Sequence, residues 1–537
     1  MDNCYTGRLG TFRLRTGACS PIIISGSRHE GTTIDITEAL ATRVADHPHP
    51  TYVVSRWLFL RLLGVVYLVA FLSLVGQVAG LVGGHGILPA GGFLERAHAA
   101  YGGAAYRLFP TICWLGADDR ALVALCWAGA ALALLLIAGV AQAPILLLLW
   151  ACYLSLTVAG QQFLWFQWDG LLLETGLLAV LYAPTQLVPS LAREREPLPA
   201  ARWLVWWLLF RLMFLSGITK LASGDPTWRH LTALDYHFWT QPLPPFTAWY
   251  AQWLPQWTHR AMTLAILAIE LIVPWLILSP VRWRRARYWA CGVLVLGQLA
   301  IALLGNYGFF NLLAIVLCLS LLDDAVLERV LPVRLAAGVP EPRWKQYAIR
   351  GLAPVLALVA ALALVREIAQ TLPGGGRGGR NPLLDAVAPL RSVNGYGLFR
   401  VMTTERFEIV IEGSADSMHW REYPFRWKPG DPARRPAFMA PHMPRLDWQM
   451  WFAALDPEGA RDWLVPILRH LLQGTPEVLA LLDDNPFPAG PPRYVRVAYY
   501  RYRFSTPRER AATATWWQRE PVGYLTRPLS LADPPPR

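Results

Sequence analysis

Five ionisable residues lie inside long apolar segments of the chain: Asp169, Glu174, Arg211, Lys220 and Glu270. A charge in such a segment is costly, so these residues line polar cavities, hold ligands or pair with one another. Lys220 is the most informative of them, because a lysine, unlike an arginine, can lose its proton when it is removed from water. The set therefore predicts a polar cavity among apolar helices.

Two interpretations of Lys220 are open. In one, Lys220 is a buried base or a polar anchor for a ligand. In the other, it extends from the end of its helix to the outer membrane surface, while Asp225 caps the segment that follows. Asp169 and Glu174 are expected at the start of a helix and to pair with Arg211 or Lys220, either for stability or for function.

Three histidines and an aspartate lie in the segment 223–260: His230, Asp235, His237 and His259. Their spacings fit no zinc pattern, so we expect surface or packing roles and no metal site. The chain also has no GxSxG sequence, so a serine hydrolase is not indicated. No cofactor is predicted.

A third group lies near the C-terminus: Arg445, Asp447, Trp448, Trp451 and Phe452. The arginine and the aspartate are expected to fix the corner between a loop and a helix through charge-assisted hydrogen bonds. The aromatic residues either pack in a core or present a surface that binds a client protein.

The composition indicates the elements that must position these residues. Hydrophobic residues make up 54% of the chain and charged residues 16%, and the apolar residues are clustered in long runs. The formal net charge of +12 comes almost wholly from arginines that flank these runs, and the chain has no nucleic-acid-binding motif. We therefore expect a polytopic membrane protein that contacts the lipid bilayer and no nucleic acid.

Nine apolar segments approach the length of about 20 residues that is needed to cross hydrocarbon. They lie at 57–82, 121–139, 144–160, 170–188, 203–222, 261–279, 288–304, 307–322 and 348–368. The shorter segments are expected to be broken or re-entrant helices.

Basic residues in three connections predict the orientation of these spans. They are Arg193, Arg195 and Arg202; Arg282, Arg284, Arg285 and Arg287; and Arg329, Arg334, Arg343, Lys345 and Arg350. With nine spans and a cytoplasmic N-terminus, all three connections are cytoplasmic, as the positive-inside rule requires. The loops 83–120 and 223–260 and the C-terminal region then face the opposite side.

The predicted fold is a polytopic α-helical membrane protein of about nine spans with a C-terminal soluble domain, either a β-sandwich or a sheet with a helical insertion. The predicted parts are a disordered cytoplasmic tail at 1–50, the transmembrane domain at 51–370, a linker at 371–392 and the extracytoplasmic domain at 393–537. The linker is inferred from the run PGGGRGGRNP at 373–382. No cysteine follows Cys318, so the C-terminal domain cannot contain a disulfide.

Four runs resemble the C-terminal signature of the lipase maturation factor family: YGLFRVMTTER at 396–406, EIVIEGS at 408–414, WREYPFRWKPGD at 420–431 and PHMPRLDWQMWFAAL at 441–455. The same family shares WFQWDGLLLETG at 165–176 and SGDPTWRHLTALDYHF at 223–238. The resemblance implies a non-catalytic, chaperone-like role in folding, assembly or maturation of clients such as lipases. It implies the endoplasmic reticulum membrane in a eukaryote, or an inner membrane with a periplasmic domain in a bacterium.

The segment FLSGITKLASGDPTW at 214–228 is also similar to a stretch of the vitamin K-dependent γ-glutamyl carboxylase and its relatives with a horizontally transferred transmembrane domain. In the carboxylase, the matching lysine is associated with the base that starts vitamin K oxidation. This similarity implies an alternative function, a membrane enzyme or ligand-binding protein in which Lys220 is a buried base. A transporter is not indicated, because internal repeats and paired broken helices are not evident.

Overall fold

Each of the nine apolar segments contains a helix in the computed structural model, which describes residues 50–188, 194–331, 340–375 and 381–532. In chain order, α1 to α9 are Val53–Val75, Asp119–Ala138, Gln142–Ala159, Gln167–Tyr182, Pro199–Ala222, Gln256–Leu271, Arg284–Leu304, Phe310–Leu319 and Arg343–Thr371. The predicted tail, apart from its last residue, lies outside the described residues, as do Arg193 and Arg334.

Seven helices of the described chain are long and apolar enough to cross a membrane. One of the seven is α6 continued by the short helix Pro274–Ile277. The other two predicted spans are α4, with 16 residues, and α8, with 10. A helix of that size is at most about 24 Å long, which is less than the about 30 Å of bilayer hydrocarbon. The predicted polytopic helical membrane protein is confirmed, and its two short members are α4 and α8.

The three basic connections meet at one end of the helix bundle, which we call the basic end. Arg56, in the first turn of α1, donates to the backbone carbonyl of Arg195 and pairs with Glu341 at 3.3 Å. Arg287, near the start of α7, donates to the Tyr52 hydroxyl at 3.3 Å. These contacts place the connections before α5, α7 and α9 beside the start of α1, as the orientation argument requires.

Short helices and the C-terminal domain lie at the opposite end, which we call the domain end. The short helices in the connections at this end are Val78–Val82, Ala90–Tyr101, Gly102–Ala104, Ala105–Leu108, Ile112–Leu115, Gln161–Leu164, Pro226–Arg229, Ala233–Thr240 and Phe246–Gln252. Asp225 accepts from Thr227 N at 2.7 Å and caps the helix that begins at Pro226, as predicted. Further short helices elsewhere in the chain are Val281–Trp283, Asp324–Leu327, Pro382–Val387, Ala388–Leu390, Pro476–Leu479 and Pro507–Thr513.

The C-terminal domain is built on one four-stranded antiparallel sheet in the order β2-β1-β3-β4. The strands are Arg406–Ser414 (β1), Arg421–Glu422 (β2), Tyr494–Phe504 (β3) and Trp517–Tyr524 (β4). The helices α10, Arg445–Leu455, and α11, Arg461–Gln473, are inserted between β2 and β3. Of the two predicted alternatives, the described residues therefore form the sheet with a helical insertion.

Part of the predicted linker is helical. The helix Pro382–Val387 is capped by Asn381, whose side chain accepts from Leu383 N at 3.1 Å. The glycine-rich centre of this stretch, 376–380, lies outside the described residues. The boundaries at 370, 392 and 393 remain predictions.

One hydrophobic core extends from the bundle into the C-terminal domain. It includes Tyr67 of α1 and Tyr153 of α3 together with Met443, Trp448 and Trp463 of the domain. The domain is therefore packed directly on the helices, and its position is fixed by a shared interior.

Candidate functional site at the domain end

The helix α4 presents two carboxylates to different neighbours. Asp169 and Glu174 are five residues apart, which corresponds to about 140° around a helix. Both side chains are almost completely buried. Each must therefore find its own cation and its own hydrogen-bond donors.

Asp169 pairs with Arg445 of α10 in a buried, two-pronged ion pair. Arg445 Nη1 lies 2.6 Å from Asp169 Oδ2, and Nη2 lies 2.8 Å from Oδ1. Tyr153 of α3 donates to Oδ1 at 2.5 Å, and Phe166 N donates to Oδ2 at 3.2 Å. Two charge-assisted hydrogen bonds of this kind are stronger than neutral ones and also fix the relative orientation of the two groups. The predicted partners of Asp169, Arg211 and Lys220, do not contact it, because the domain supplies a closer cation.

Glu174 pairs with Arg211 of α5, as predicted, at 2.8 Å. Its other oxygen accepts from Tyr396 Oη at 2.7 Å and from the backbone N–H of Asn394 at 3.1 Å. Arg211 Nη2 donates in turn to the Asn394 carbonyl at 3.0 Å. A Cβ on Gly170 would lie 2.8 Å from Asn394 Oδ1, so a larger residue at position 170 would push the segment away from α4. The start of the C-terminal segment therefore closes a network that begins in the bundle.

The loop after α5 holds the next part of the C-terminal segment. Ser223 Oγ donates to the Arg400 carbonyl at 2.8 Å, and Trp228 Nε1 donates to the Phe399 carbonyl at 3.0 Å. Met402 N donates to Asp225 Oδ2. The SGDPTW and YGLFRVM runs are thus partners in space.

Arg406, at the start of β1, fixes a second part of the same loop. Its guanidinium donates to the carbonyls of Trp239, Gln241 and Pro242 and pairs with Glu408 at 2.6 Å. Lys428 lies 2.8 Å from the second oxygen of Glu408. These buried charges are all paired, and they attach the sheet to the domain end of the bundle.

Lys220 is buried and pairs with Glu270 of α6, at 2.7 and 2.9 Å from the two carboxylate oxygens. Its third donor reaches the Ser216 carbonyl at 2.9 Å, and its ammonium lies 5.2 Å from the centre of the Trp228 ring. The interpretation that Lys220 reaches the membrane surface is therefore wrong. Glu270 supplies the charge that makes burial tolerable.

A cavity of about 100 Å³ adjoins the Lys220–Glu270 pair, and an apolar cavity of about 200 Å³ continues from it between α6 and α7. The polar lining includes His237, Gln298 and Tyr307. Burial and the Lys220 charge lower the pKa of His237 to about 4, so its imidazole is neutral. A cavity around Lys220 was predicted, but Asp169, Glu174 and Arg211 do not converge on it.

The predicted client-binding group is mostly interior. Arg445 and Asp447 do not pair with each other: Asp447 accepts from the backbone N–H groups of Trp427 and Lys428, each at 2.9 Å. Trp448 and Trp451 are buried, and Trp451 Nε1 donates to the Thr240 carbonyl at 2.9 Å. The idea that these two tryptophans form a binding surface is therefore wrong, because they fill the contact with the bundle. Phe452, at 42% exposure, is accessible.

The histidines of the 223–260 loop serve other contacts. His259 Nδ1 lies 2.8 Å from Asp235 Oδ1, and His237 Nε2 lies 3.0 Å from the Tyr307 hydroxyl. Among the residues that the structure describes, no group of three or more histidine, cysteine or acidic side chains could hold a metal ion.

The two parts of the chain that form this interface each match a known protein family domain. Residues 54–329 match the lipase maturation factor transmembrane domain, and residues 392–526 match the lipase maturation factor C-terminal domain. The chain belongs to the lipase maturation factor family. Lipase maturation factor 2 of Homo sapiens is 38% identical over 89% of this chain and 83% of its own length. Lipase maturation factor 1 of Bos taurus is 35% identical over 90% of each chain, and that of Mus musculus is 34% identical over 95% and 93%. No solved structure matches the chain.

The family's two domains meet through their characteristic runs. Asp169 and Glu174 lie in the matched transmembrane domain, and Asn394, Tyr396 and Arg445 lie in the matched C-terminal domain. The contribution of Asn394, Tyr396 and Tyr153 was not predicted from the sequence. Tyr396 is the first residue of the YGLFRVMTTER run and Asn394 lies two positions before it, but nothing local in the sequence indicates Glu174 as their partner.

Proposed function

We propose that this member of the lipase maturation factor family assists the folding, assembly or maturation of secreted client proteins such as lipases. Family membership supports the maturation role. The main structural support is the buried Asp169–Arg445 ion pair, which holds the C-terminal domain in one orientation on the membrane helices. A client that binds this domain is then kept at the membrane surface while it folds.

The orientation matters because a domain on a free linker samples many positions, whereas this one is fixed by charged contacts inside a shared core. Breaking one partner of a buried ion pair leaves an uncompensated charge and is strongly unfavourable. The Asp169 and Glu174 networks lie on different faces of α4, so together they resist both tilting and sliding of the domain.

An exposed apolar pair on α10 is the proposed client contact. Phe452 and Leu455 are three positions apart on one helix face and are 42% and 43% exposed. The Phe452 ring lies 6.1 Å from that of Phe166, just before α4, so the contact spans domain and bundle. In this account Arg445, Asp447, Trp448 and Trp451 position the helix, and Phe452 touches the client.

Secreted lipase activity in cells that lack lipase maturation factors tests this proposal. Expression of the full chain is expected to raise the activity per amount of secreted lipase, and to leave a secreted non-lipase reporter unchanged. Phe452→Asp is expected to remove most of the effect, because it places a charge in an apolar contact. The control is Val522→Asp, which changes an apolar residue on β4 that is 54% exposed. Absence of any rescue by the full chain at normal membrane levels would refute the proposal.

A second candidate is a carboxylase-like membrane enzyme or ligand-binding protein in which Lys220 acts as a buried base. The cavity beside Lys220 favours it. Lys220→Arg is the discriminating variant, because arginine keeps the charge facing Glu270 but does not release a proton. If this variant folds normally but loses function, Lys220 acts as a base. If it keeps full function, Lys220 serves only as the charged partner of Glu270.

We further propose that the domain end faces the compartment in which secreted proteins fold, the lumen of the endoplasmic reticulum in a eukaryote. The arginine-rich basic end is then cytoplasmic, in agreement with the positive-inside rule. A client entering that compartment meets the C-terminal domain directly.

A further inference from the structure

Two cavities adjoin beside Lys220. The smaller one has a mostly apolar lining that includes several polar side chains, and we call it the polar chamber. The larger one has an almost wholly apolar lining, and we call it the apolar chamber. The polar chamber lies between α5, α6, α7 and α8 and is closed on one side by Leu398 and Phe399 of the C-terminal segment. The apolar chamber lies between α6 and α7. Both are lined by Glu270, Gln298 and Tyr307, so they form one continuous, two-part site.

One side-chain donor in the polar chamber has no hydrogen-bond partner among the described residues. Gln298 is only 6% exposed, and its Oε1 accepts from Asn311 Nδ2 at 2.9 Å. Within the described part of the chain its Nε2 makes no hydrogen bond. The side chain lines the cavity, so this amide N–H₂ group is available to donate a hydrogen bond to a ligand there.

The same chamber offers two acceptors. Gln241 Nε2 donates to backbone carbonyls, so its Oε1 accepts the Tyr307 hydroxyl proton at 2.9 Å. Tyr307 Oη therefore accepts from His237 Nε2, which leaves Nδ1 of the neutral imidazole as an acceptor. The Glu270 carboxylate, with 13% of its side chain exposed, is the second acceptor.

The charge of the lining selects against ions. Lys220 and Glu270 neutralise each other at 2.7 Å, and His237 carries no charge. A phosphate or carboxylate in the chamber would therefore lack a free cation to pair with. A hydroxyl group fits instead, because it accepts one hydrogen bond and donates another.

The apolar chamber opens towards the outer surface of the bundle. Ala265 of α6 and Ala300 of α7 line it and are exposed. Large apolar residues such as Leu264 and Leu296 are exposed on the same two helices, as expected for surfaces that face lipid. A hydrocarbon chain can therefore enter the cavity from the bilayer between α6 and α7.

We propose that this two-part cavity binds a neutral membrane lipid with a free hydroxyl group, whose hydroxyl accepts from Gln298 and donates to Glu270 or His237 while its hydrocarbon lies between α6 and α7. The inference extends the ligand-binding candidate above and is independent of the maturation role. Diacylglycerols and sterols share the required chemistry.

Photo-cross-linking in membranes that contain the full chain tests the proposal. Three diazirine-bearing probes are compared: a diacylglycerol, a sterol, and a phosphatidic acid with the same acyl chains as the diacylglycerol. At least one neutral probe is expected to label α6 or α7, and to do so more strongly than the phosphatidic acid. The two neutral arms identify which source of the hydroxyl group is bound.

Two variants, each with a matched control, locate the labelling. Gly297→Leu places a side chain in the apolar chamber, where a Cβ meets only Ile269 at 3.7 Å, and is expected to abolish labelling. Gly292→Leu, on the same helix with no atom near its Cβ, is expected to leave it unchanged. Gln298→Leu is expected to weaken it about tenfold by removing one hydrogen bond to a buried group. Its control is Gln142→Leu, which removes another buried amide far from the cavity, at the basic end, and is expected to leave the labelling unchanged.

Stronger labelling by phosphatidic acid, no labelling by either neutral probe, or equal labelling of the Gly297→Leu and Gly292→Leu variants would overturn the proposal. Gly297→Leu is sufficient for the test if Gln298→Leu does not accumulate in the membrane. Secreted lipase activity measured in the same cells reports on the maturation role separately.

Discussion

At the scale of single residues, the charges inside this protein are almost all paired, and the most consequential pair crosses between the two domains. Arg445 is completely buried and contacts Asp169 through two parallel hydrogen bonds, with Tyr153 beside them. Such a pair is costly to assemble, but once formed it strongly penalises separation of its members. It therefore specifies where the domain sits as much as it stabilises the fold.

Arg445→Ala is expected to lower the free energy of unfolding by about 3–5 kcal/mol, because Asp169 then remains buried without a cation. Arg501→Ala, which breaks the exposed pair with Glu405 at 3.3 Å, is expected to cost less than about 1 kcal/mol. Thermal unfolding of the purified proteins in detergent measures the difference. Equal midpoints for the two variants would contradict this assignment.

His237 predicts a pH dependence of stability. Its pKa is lowered to about 4 by burial and by Lys220, whereas in the unfolded chain it is about 6.5. Between these values the unfolded chain binds a proton that the folded chain does not, so stability should fall as the pH decreases from about 6.5 towards 4.

His237→Gln should make the stability profile flatter in this pH window than that of the wild type. His230→Gln, at an exposed position of the same loop, is the control. Thermal midpoints measured at successive pH values make the comparison. An identical slope in wild type and His237→Gln would exclude the proposed contribution.

At the scale of elements, α4 is the central connector although it is short. It packs against α3 and α5, and its first two turns carry both carboxylates that receive the C-terminal domain. Its close approach to α1 depends on Gly176, where a Cβ would lie 1.9 Å from the Tyr67 hydroxyl oxygen. The helix is therefore held between the bundle and the domain by small residues and buried charges.

Gly176→Ala should destabilise the protein by about 1–3 kcal/mol through this clash. Tyr67→Phe in the same chain should recover much of the loss, because it removes the atom that the new methyl group meets. Gly292→Ala, which meets no atom within 4 Å, is the control. Thermal midpoints of five proteins test the contact: the wild type, Gly176→Ala, Tyr67→Phe, the double variant and the control. A failure of Tyr67→Phe to rescue Gly176→Ala would disprove the contact.

The sequence predicts the elements well and their partners poorly, for a physical reason. Apolar length and the flanking arginines depend on local sequence, so the nine helical segments and the common end of the basic connections could be predicted. The Glu174–Arg211 pair could also be predicted, because few cationic side chains lie in the apolar segments. The Asp169–Arg445 pair joins residues 276 positions apart, and the burial of Trp448 follows from that docking, so neither has a local signal.

At the scale of the whole molecule, the chain has two chemically different ends. The basic end gathers three arginine-rich connections around the start of α1, and the domain end is covered by the sheet, α10 and α11. This separation predicts that a membrane lies between them.

Cysteine labelling in sealed microsomes tests the orientation. Val330→Cys, at the basic end, should react with a membrane-impermeant thiol reagent at once, and Met418→Cys, in the domain, only after detergent is added. Cys4 and Cys19 are replaced by serine, and Cys113, Cys126, Cys152, Cys291 and Cys318 are buried. Reaction of Met418→Cys in intact microsomes would reverse the proposed orientation.

If the docked C-terminal domain carries the maturation function, secreted lipase activity depends on the contact between this domain and the membrane helices. Two variants are compared at equal membrane levels in cells that lack lipase maturation factors. One is Arg445→Ala, which breaks the docking contact, and the other is Lys220→Met with Glu270→Leu, which removes the membrane ion pair as a unit. We predict that the first loses most of the lipase activity per amount of secreted lipase and that the second retains it. Retained activity in Arg445→Ala together with lost activity in the double variant would contradict the account and place the function in the membrane cavity.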